Sequence, residues 1–193
     1  MHNPDGKAKN NWHSTHSFPN FRWQAEGLYF PVVEKTIDLA TITIDEHIVL
    51  RPFTPAEADA LFDAIDQSRA HLGPWLNWVG GTTRIAHSLD FIERSAAQIH
   101  NQEALPLGIF VDGVIVGGVG MHDWQRDINR AQIGYWITKG YEGKGIVTRA
   151  VAALCNYLFT RAGLNKLEIR YVPANTRSGK VAQRLGFRVE GVI

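Results

Sequence analysis

The chain has 193 residues, 45% of them hydrophobic and 20% charged, and its 20 Lys and Arg nearly balance 19 Asp and Glu. These values are typical of one globular domain, which buries roughly 70% of its unfolded surface without needing a metal or disulfide. A net charge of +1 argues against a nucleic-acid binder, which normally carries a basic face. The single cysteine excludes an intrachain disulfide and fits a reducing cytoplasm. No apolar run approaches the ~20 residues that cross a bilayer, and no signal peptide is expected.

Residues 1–40 differ from the rest of the chain. They contain scattered His, Asn, Gly and Pro and show no sustained apolar period. Residues 26–30, with the sequence EGLYF, loosely resemble a site for a tag-removing protease. We therefore predict a disordered or tag-like extension over 1–40 and a single domain over 41–193.

Regular patterns begin near residue 41. Alternating apolar residues over 41–44 and 47–51 predict two strands. Thr54, Pro55 and Glu57 form a capping sequence that predicts the start of a helix. A second helix is predicted over 84–100, and its apolar side comprises Leu89, Ile92, Ala96 and Ile99.

The clearest turn signal is the dipeptide Asp112-Gly113. It separates two apolar runs, 107–111 and 114–116, and is the pair that a type I′ hairpin turn favours. The elements predicted beyond it are a strand over 131–137, a helix over 145–161, a strand over 166–172, a helix over 176–185 and a last strand from 187. The fold class is thus α/β (α+β), with a mixed, mostly antiparallel sheet and helices on both faces.

A glycine-containing loop marks the passage from strand to helix at residues 142–147. Gly143 and Gly145 can adopt backbone angles closed to other residues and let a ligand approach the main chain. The helix N-terminus behind them offers unpaired N–H groups to an anion, and Lys144 and Arg149 add positive charge. Simple turn chemistry explains such a glycine pair equally well. Neither a P-loop nor a dinucleotide fingerprint is present.

Three motifs in a fixed order carry a family resemblance. They are Ile133-Gly134-Tyr135-Trp136-Ile137, the loop 142–147, and Asn175-x-x-Ser178 followed by Leu185-Gly186-Phe187. Together they resemble the GCN5-related N-acetyltransferase (GNAT) family from about residue 46 onward, most closely its ribosomal-protein N-terminal (serine/alanine) branch. The family loop reads Gln/Arg-x-x-Gly-x-Gly/Ala. Glu142 and Val147 depart from it, and we expect Lys144 to offset the charge of Glu142.

The resemblance implies a GNAT fold, with acetyl-CoA as co-substrate, a primary amine as acceptor and no metal. The residues expected to bind acetyl-CoA are Tyr135, Trp136, Ile137, Glu142, Gly143, Lys144, Gly145, Ile146, Val147, Thr148, Asn175 and Ser178. Ser178 is the candidate general acid, with Asn175 beside it near the thiol; both residues also suit a helix start. Trp75 and Trp78 are expected on one face of a short helix, either shaping the acceptor pocket or packing in the core.

The general base is the position where the sequence departs most from the family. Related enzymes often have a glutamate directly before the Ile-Gly-Tyr-Trp segment, where this chain has Gln132. An amide cannot take a proton. His122 and Asp123, at the end of a predicted strand, are reserve candidates for a base or a water relay, and a solvated surface pair is the alternative. The chain ends at Ile193, so we also expect the C-terminal strand of the family to be truncated.

The sequence thus predicts transfer of an acetyl group from acetyl-CoA to a primary amine, such as the N-terminal α-amine of a ribosomal protein. Two alternatives remain open, namely a small-amine acetyltransferase (polyamine, aminoglycoside or amino acid) and a non-catalytic acyl-CoA-binding module. A cytoplasmic monomer or homodimer is expected, with neither nucleic acid nor membrane as partner.

Overall fold

The computed structural model describes residues 36–37 and 41–192. The strands are β1 (Ile42–Thr43), β2 (Ile48–Arg51), β3 (Leu105–Val111), β4 (Val114–Gln125), β5 (Arg130–Ile137) and β6 (Lys166–Ile169). The helices are α1 (Ala58–Gln67), α2 (Arg69–Leu72), α3 (Trp78–Gly81), α4 (Ile85–His100), α5 (Ile146–Thr160) and α6 (Thr176–Arg184). Short 3₁₀ turns cover Pro55–Glu57 and Lys139–Tyr141. In the described part of the chain, no helix is both long and apolar enough to cross a membrane.

The six strands form one sheet in the order β1-β2-β3-β4-β5-β6. Neighbours from β1 to β5 pair antiparallel, whereas β6 pairs parallel to β5. The predicted mixed, mostly antiparallel sheet is therefore confirmed. The turn between β3 and β4 is of the predicted kind, since Asp112 and Gly113 both have positive φ, at 48° and 80°.

Side chains alternate between the two faces of the sheet, and each face has its own core. One face packs against α5, where Val151, Leu154 and Leu158 are fully buried. The other face packs against α1 and α4, through residues such as Leu61 and Ile92. Trp136 of β5 packs against this second core. Every second residue of β5, counted from Trp136, therefore also faces α1 to α4.

The N-terminal part of the domain shows two local features of note. Glu57 accepts a hydrogen bond from the Thr54 backbone N–H at 2.8 Å, as the predicted capping sequence requires. Ile37 lies ahead of the predicted domain start and is buried, and the Gln102 side chain donates to its carbonyl at 3.0 Å. The rest of the predicted 1–40 extension, apart from Thr36, lies outside the described residues.

Two sequence predictions need correction. Residues 187–192 form no strand, because the Phe187 N–H instead donates to the Ala182 carbonyl at 3.1 Å and continues the cap of α6. On α4, Ala96 is exposed, whereas Ser88 and Ser95 are buried with Ile92. The helical stripe at 88, 92 and 95 faces the core, and small serine side chains there allow close approach to the neighbouring elements.

Candidate active site

The sheet opens between β5 and β6. The two strands pair only from Arg130–Lys166 to Ile133–Ile169, although β5 continues to Ile137. The predicted strand over 166–172 therefore stops at Ile169, and the chain leaves the sheet there. The β5 segment from Gly134 to Ile137 stays paired to β4 on its other edge. Its free edge can form main-chain hydrogen bonds with an extended ligand.

A cleft of about 1250 Å³ occupies this opening. Its walls come from the free edge of β5, the loop before α5, the segment after β6 with the start of α6, and the chain around α2. Every residue predicted to bind acetyl-CoA lines it, which brings all three sequence motifs to one place.

The loop at residues 142–147 has the geometry of an anion cradle. Gly143 and Gly145 have φ of 74° and 73°, in the left-handed region that favours glycine, and no atom lies within 4 Å of where either Cβ would stand. The first hydrogen bond of α5 runs from the Arg149 N–H to the Gly145 carbonyl, at 3.1 Å. The N–H groups of Ile146, Val147 and Thr148 precede that bond, so they are available to a negatively charged group.

The charge of Glu142 is balanced differently from the prediction. Its carboxylate lies 2.7 Å from Arg177 Nη1 and 3.1 Å from His71 Nε2. Lys144 instead stands over the Tyr141 ring, 4.7 Å from its centroid. Lys144 therefore does not pair with Glu142, while its part in binding acetyl-CoA stays a prediction. Arg177 and His71 were missed because they are distant from the loop in sequence and only the fold brings them to it.

Tyr135 connects β5 to α6. Its hydroxyl donates to the Ser178 carbonyl at 2.9 Å and lies 3.0 Å from Ser178 Oγ. Burial raises the pKa of the phenol above its usual range, an effect that the hydrogen bond with Ser178 opposes in part. The phenol thus stays protonated at neutral pH. Asn175 Oδ1 accepts from the Ser178 N–H at 3.2 Å, which makes Asn175 the N-cap of α6.

The two tryptophans predicted at the acceptor pocket do not share a helix. Trp75 lies in the turn after α2, where its backbone N–H donates to the Leu72 carbonyl. Trp78 is the first residue of α3. Trp75 lines the cleft. Trp78 does not, but it packs edge-on against Trp136, which does, with ring centroids 6.0 Å apart. Both tryptophan side chains remain more than a third exposed.

One further residue of the cleft wall had no signal in the sequence. Tyr171, in the segment after β6, forms part of the wall and packs against Gly179 of α6. Cys155 of α5 is half-buried, and burial raises the pKa of its thiol to about 11, so it is a poor nucleophile. Over residues 36–37 and 41–192, no group of three His, Cys, Asp or Glu side chains is arranged to hold a metal ion.

Comparisons with known proteins agree with this geometry. A family model described as an acetyltransferase (GNAT) domain matches residues 47–188. YdaF of Bacillus subtilis (strain 168), named as a ribosomal N-acetyltransferase, is 34% identical over 155 residues, covering 78% of this chain and 83% of YdaF. The ribosomal-protein-serine acetyltransferase of Escherichia coli (strain K12) is 24% identical, covering 79% and 86% of the two chains.

The fold is also similar to that of a solved acetyltransferase structure. The microcin C7 self-immunity acetyltransferase MccE, solved in complex with acetyl-CoA and AMP, superposes with a TM-score of 0.75 at 30% identity. The match covers 82% of this chain and 87% of that one. With its three motifs gathered at one cleft and a family match over most of its length, the chain belongs to the GNAT family of N-acetyltransferases.

Proposed function

We propose that this chain transfers the acetyl group of acetyl-CoA to the N-terminal α-amine of a protein, with a ribosomal protein as the favoured acceptor. The observation that carries the proposal is the opening between β5 and β6, with a glycine cradle and a helix N-terminus at one end of it. An extended, anionic thioester donor needs both parts, a strand edge for its arm and N–H groups for its phosphates.

In this proposal the pyrophosphate of the donor binds the N–H groups of Ile146, Val147 and Thr148, which stand at the positive end of the α5 dipole. The pantetheine arm runs along the free edge of β5 from Tyr135 to Ile137. Gly145 matters because any side chain there would project toward the phosphates. Arg177, now paired with Glu142, also lines the cleft and is one of the cations that can turn toward them.

The chemistry proposed is direct transfer. A neutral amine attacks the thioester carbonyl, the C–N bond forms, the C–S bond breaks and the thiolate leaves. A β5 backbone N–H stabilises the developing oxyanion, and holding both reactants together removes most of the entropic barrier. Ser178 Oγ gives its proton to the thiolate. The Tyr135 hydroxyl, 3.0 Å from that oxygen, returns a proton to it by turning away from the Ser178 carbonyl, and solvent then reprotonates the phenol.

The pocket and the relatives support this choice of acceptor. Trp75 and Trp136 give the cleft an aromatic side, and Trp78 packs edge-on against Trp136 from outside the cleft. An aromatic surface of this kind can pack against the first side chain of a peptide. The YdaF and Escherichia coli relatives are both named for ribosomal acetylation. A cytoplasmic site of action belongs to the same proposal.

A second candidate is a non-catalytic acyl-CoA-binding module on this fold. Gln132 favours it, because it stands where the family pattern has a glutamate base. The two candidates differ in one readout. An enzyme releases free CoA thiol when supplied with acetyl-CoA and peptides bearing a free N-terminus, whereas a binding module holds acetyl-CoA and releases none.

Calorimetric titration with acetyl-CoA tests the donor site. Gly145→Ala and Gly145→Glu share the same left-handed backbone strain, about 1–2 kcal/mol, so comparing them isolates the effect of the longer, negatively charged side chain. We expect Gly145→Ala to weaken binding moderately and Gly145→Glu to abolish it. Equal acetyl-CoA affinities for the two variants and the unsubstituted chain would show that the loop does not bind the donor.

A further inference from the structure

His122 of β4 lies directly opposite Gln132 of β5, so the two side chains stand on the same face of the sheet. This is the face that carries Trp136 and packs toward α1 and α4. The imidazole leans over the next β5 residue on that face, Gly134. A Cβ at Gly134 would lie only 3.3 Å from His122 Nε2. Because Gly134 has no side chain, the His122 ring can extend along the sheet as far as Gly134, which lines the cleft, although His122 itself is not part of the lining.

A backbone irregularity directly after His122 places a carboxylate beside its ring. The pairing of β4 with β5 shifts between His122 and Gln125, which marks a bulge. Asp123, inside this bulge, has a φ of 51°, a left-handed conformation that is strained for a residue with a side chain. This conformation sets the Asp123 carboxylate 3.4 Å from His122 Nδ1. A carboxylate on the Nδ1 side supports the tautomer that leaves Nε2 as the acceptor, although this contact lacks hydrogen-bond geometry.

Other groups on this face are less suited to take a proton. Gln132 is an amide. Glu168 of β6 pairs in register with Gln132, but Arg130, Lys166 and Arg170 all lie within 4 Å of its carboxylate. The pKa of Glu168 lies below its usual range: burial opposes this, but hydrogen bonds from Arg130 and Lys166 prevail. Such a carboxylate is a weak base.

We infer that His122, oriented by Asp123, is the general base that takes the proton from the attacking amine, in place of the glutamate that Gln132 replaces. The inference rests on the proposed acetyl transfer. The amine nitrogen loses its proton to His122 Nε2 as the C–N bond forms, and solvent removes the proton from the half-exposed imidazole afterwards. Asp123 lies beside the ring, and Arg130 of β5 and Glu168 of β6 stand on the same face of the sheet.

The test is the pH dependence of kcat/KM for a peptide with a free N-terminus, with His122→Gln and Asp123→Asn compared against His100→Gln on the exposed end of α4. We expect His122→Gln to lower kcat/KM at neutral pH by about 10²-fold, the low end for a positioned base, since an α-amine is already partly neutral there. The loss should shrink as pH rises and the amine deprotonates itself. Asp123→Asn keeps a residue that tolerates positive φ and should give a smaller loss of the same shape.

A rescue variant separates chemistry from folding. Gln132→Glu in the His122→Gln background puts a carboxylate directly across the strand pair. It should raise kcat/KM at least tenfold above that of His122→Gln alone. The acetyl-CoA affinity should be the same in all variants. An unchanged pH profile in His122→Gln, or a loss that is equal at every pH and not recovered by Gln132→Glu, overturns the inference. Absence of transfer by the unsubstituted chain overturns the proposed function itself, and this inference with it.

Discussion

Gly179 is the position where one methyl group should distinguish the donor site from the rest of the fold. It lies in α6 beneath the ring of Tyr171, and an added Cβ would stand 2.8 Å from Tyr171 Cε2 and 2.9 Å from Cζ. Ordinary contact requires the ring to withdraw by about 0.5 Å or more. Because Tyr171 is 38% exposed at the cleft wall, the ring can turn toward the cleft.

Two opposing terms set the stability of Gly179→Ala. Alanine in a helix is favoured over glycine by up to about 1 kcal/mol. Overpacking costs about 1–3 kcal/mol, and the low end applies where the neighbour can move. We therefore expect a net loss of about 0–1 kcal/mol, or at most about 4 °C in Tm for a domain of this size. Acetyl-CoA binding should weaken more visibly, by about five- to tenfold or ~1–1.4 kcal/mol.

Thermal unfolding and calorimetric titration measure the two effects, and Tyr171→Ala supplies the matched background. Without the ring, Gly179→Ala should leave the acetyl-CoA affinity unchanged and should raise Tm, since only the helix term remains. If Gly179→Ala weakens acetyl-CoA binding equally in both backgrounds, the methyl group does not act through Tyr171, and the reasoning fails.

Three further predictions follow from charges and burial. Glu142→Gln removes a negative charge beside the glycine loop and releases Arg177, so acetyl-CoA should bind about two- to fivefold more tightly at low salt, less so at high salt; weaker binding would contradict this. Glu57 has a pKa below its usual range, mainly through its hydrogen bond from Arg51. Its stabilising effect is therefore full above the ordinary glutamate pKa and is lost as pH falls through the lower folded value, so the Tm deficit of Glu57→Gln should vanish in acid. Cys155, with a thiol pKa of about 11, should react with thiol reagents at mildly alkaline pH only when the chain is unfolded.

The features that sequence predicted well are local. A type I′ turn requires positive φ at both central positions, and Asp112 and Gly113 both adopt it. The dipeptide alone therefore indicates the hairpin. The spacing of Gly143 and Gly145 before an amphipathic stretch likewise indicates a helix N-terminus. The order of the short motifs also indicated that their residues meet in the fold, and every residue expected to bind acetyl-CoA lines one cleft.

The features that sequence could not predict depend on distant neighbours. A run of β-forming residues continues past Ile169, yet β6 stops there, and only pairing decides where a strand ends. The partners of Glu142 come from α2 and α6, which no periodicity associates with the loop. A strand from 187 was expected from its apolar pattern, but capping of α6 by the Phe187 N–H competes with it.

The most direct measurement is tandem mass spectrometry of a peptide that carries both a free N-terminus and an internal lysine, after incubation with this chain and acetyl-CoA. A peptide beginning with Ser or Ala is the natural first substrate, and the Gly145→Glu variant is the control for donor binding. We predict acetylation at the α-amine, dependent on the unsubstituted loop. Acetyl groups found only on the lysine side chain, or in equal amount with the Gly145→Glu variant, would contradict the account.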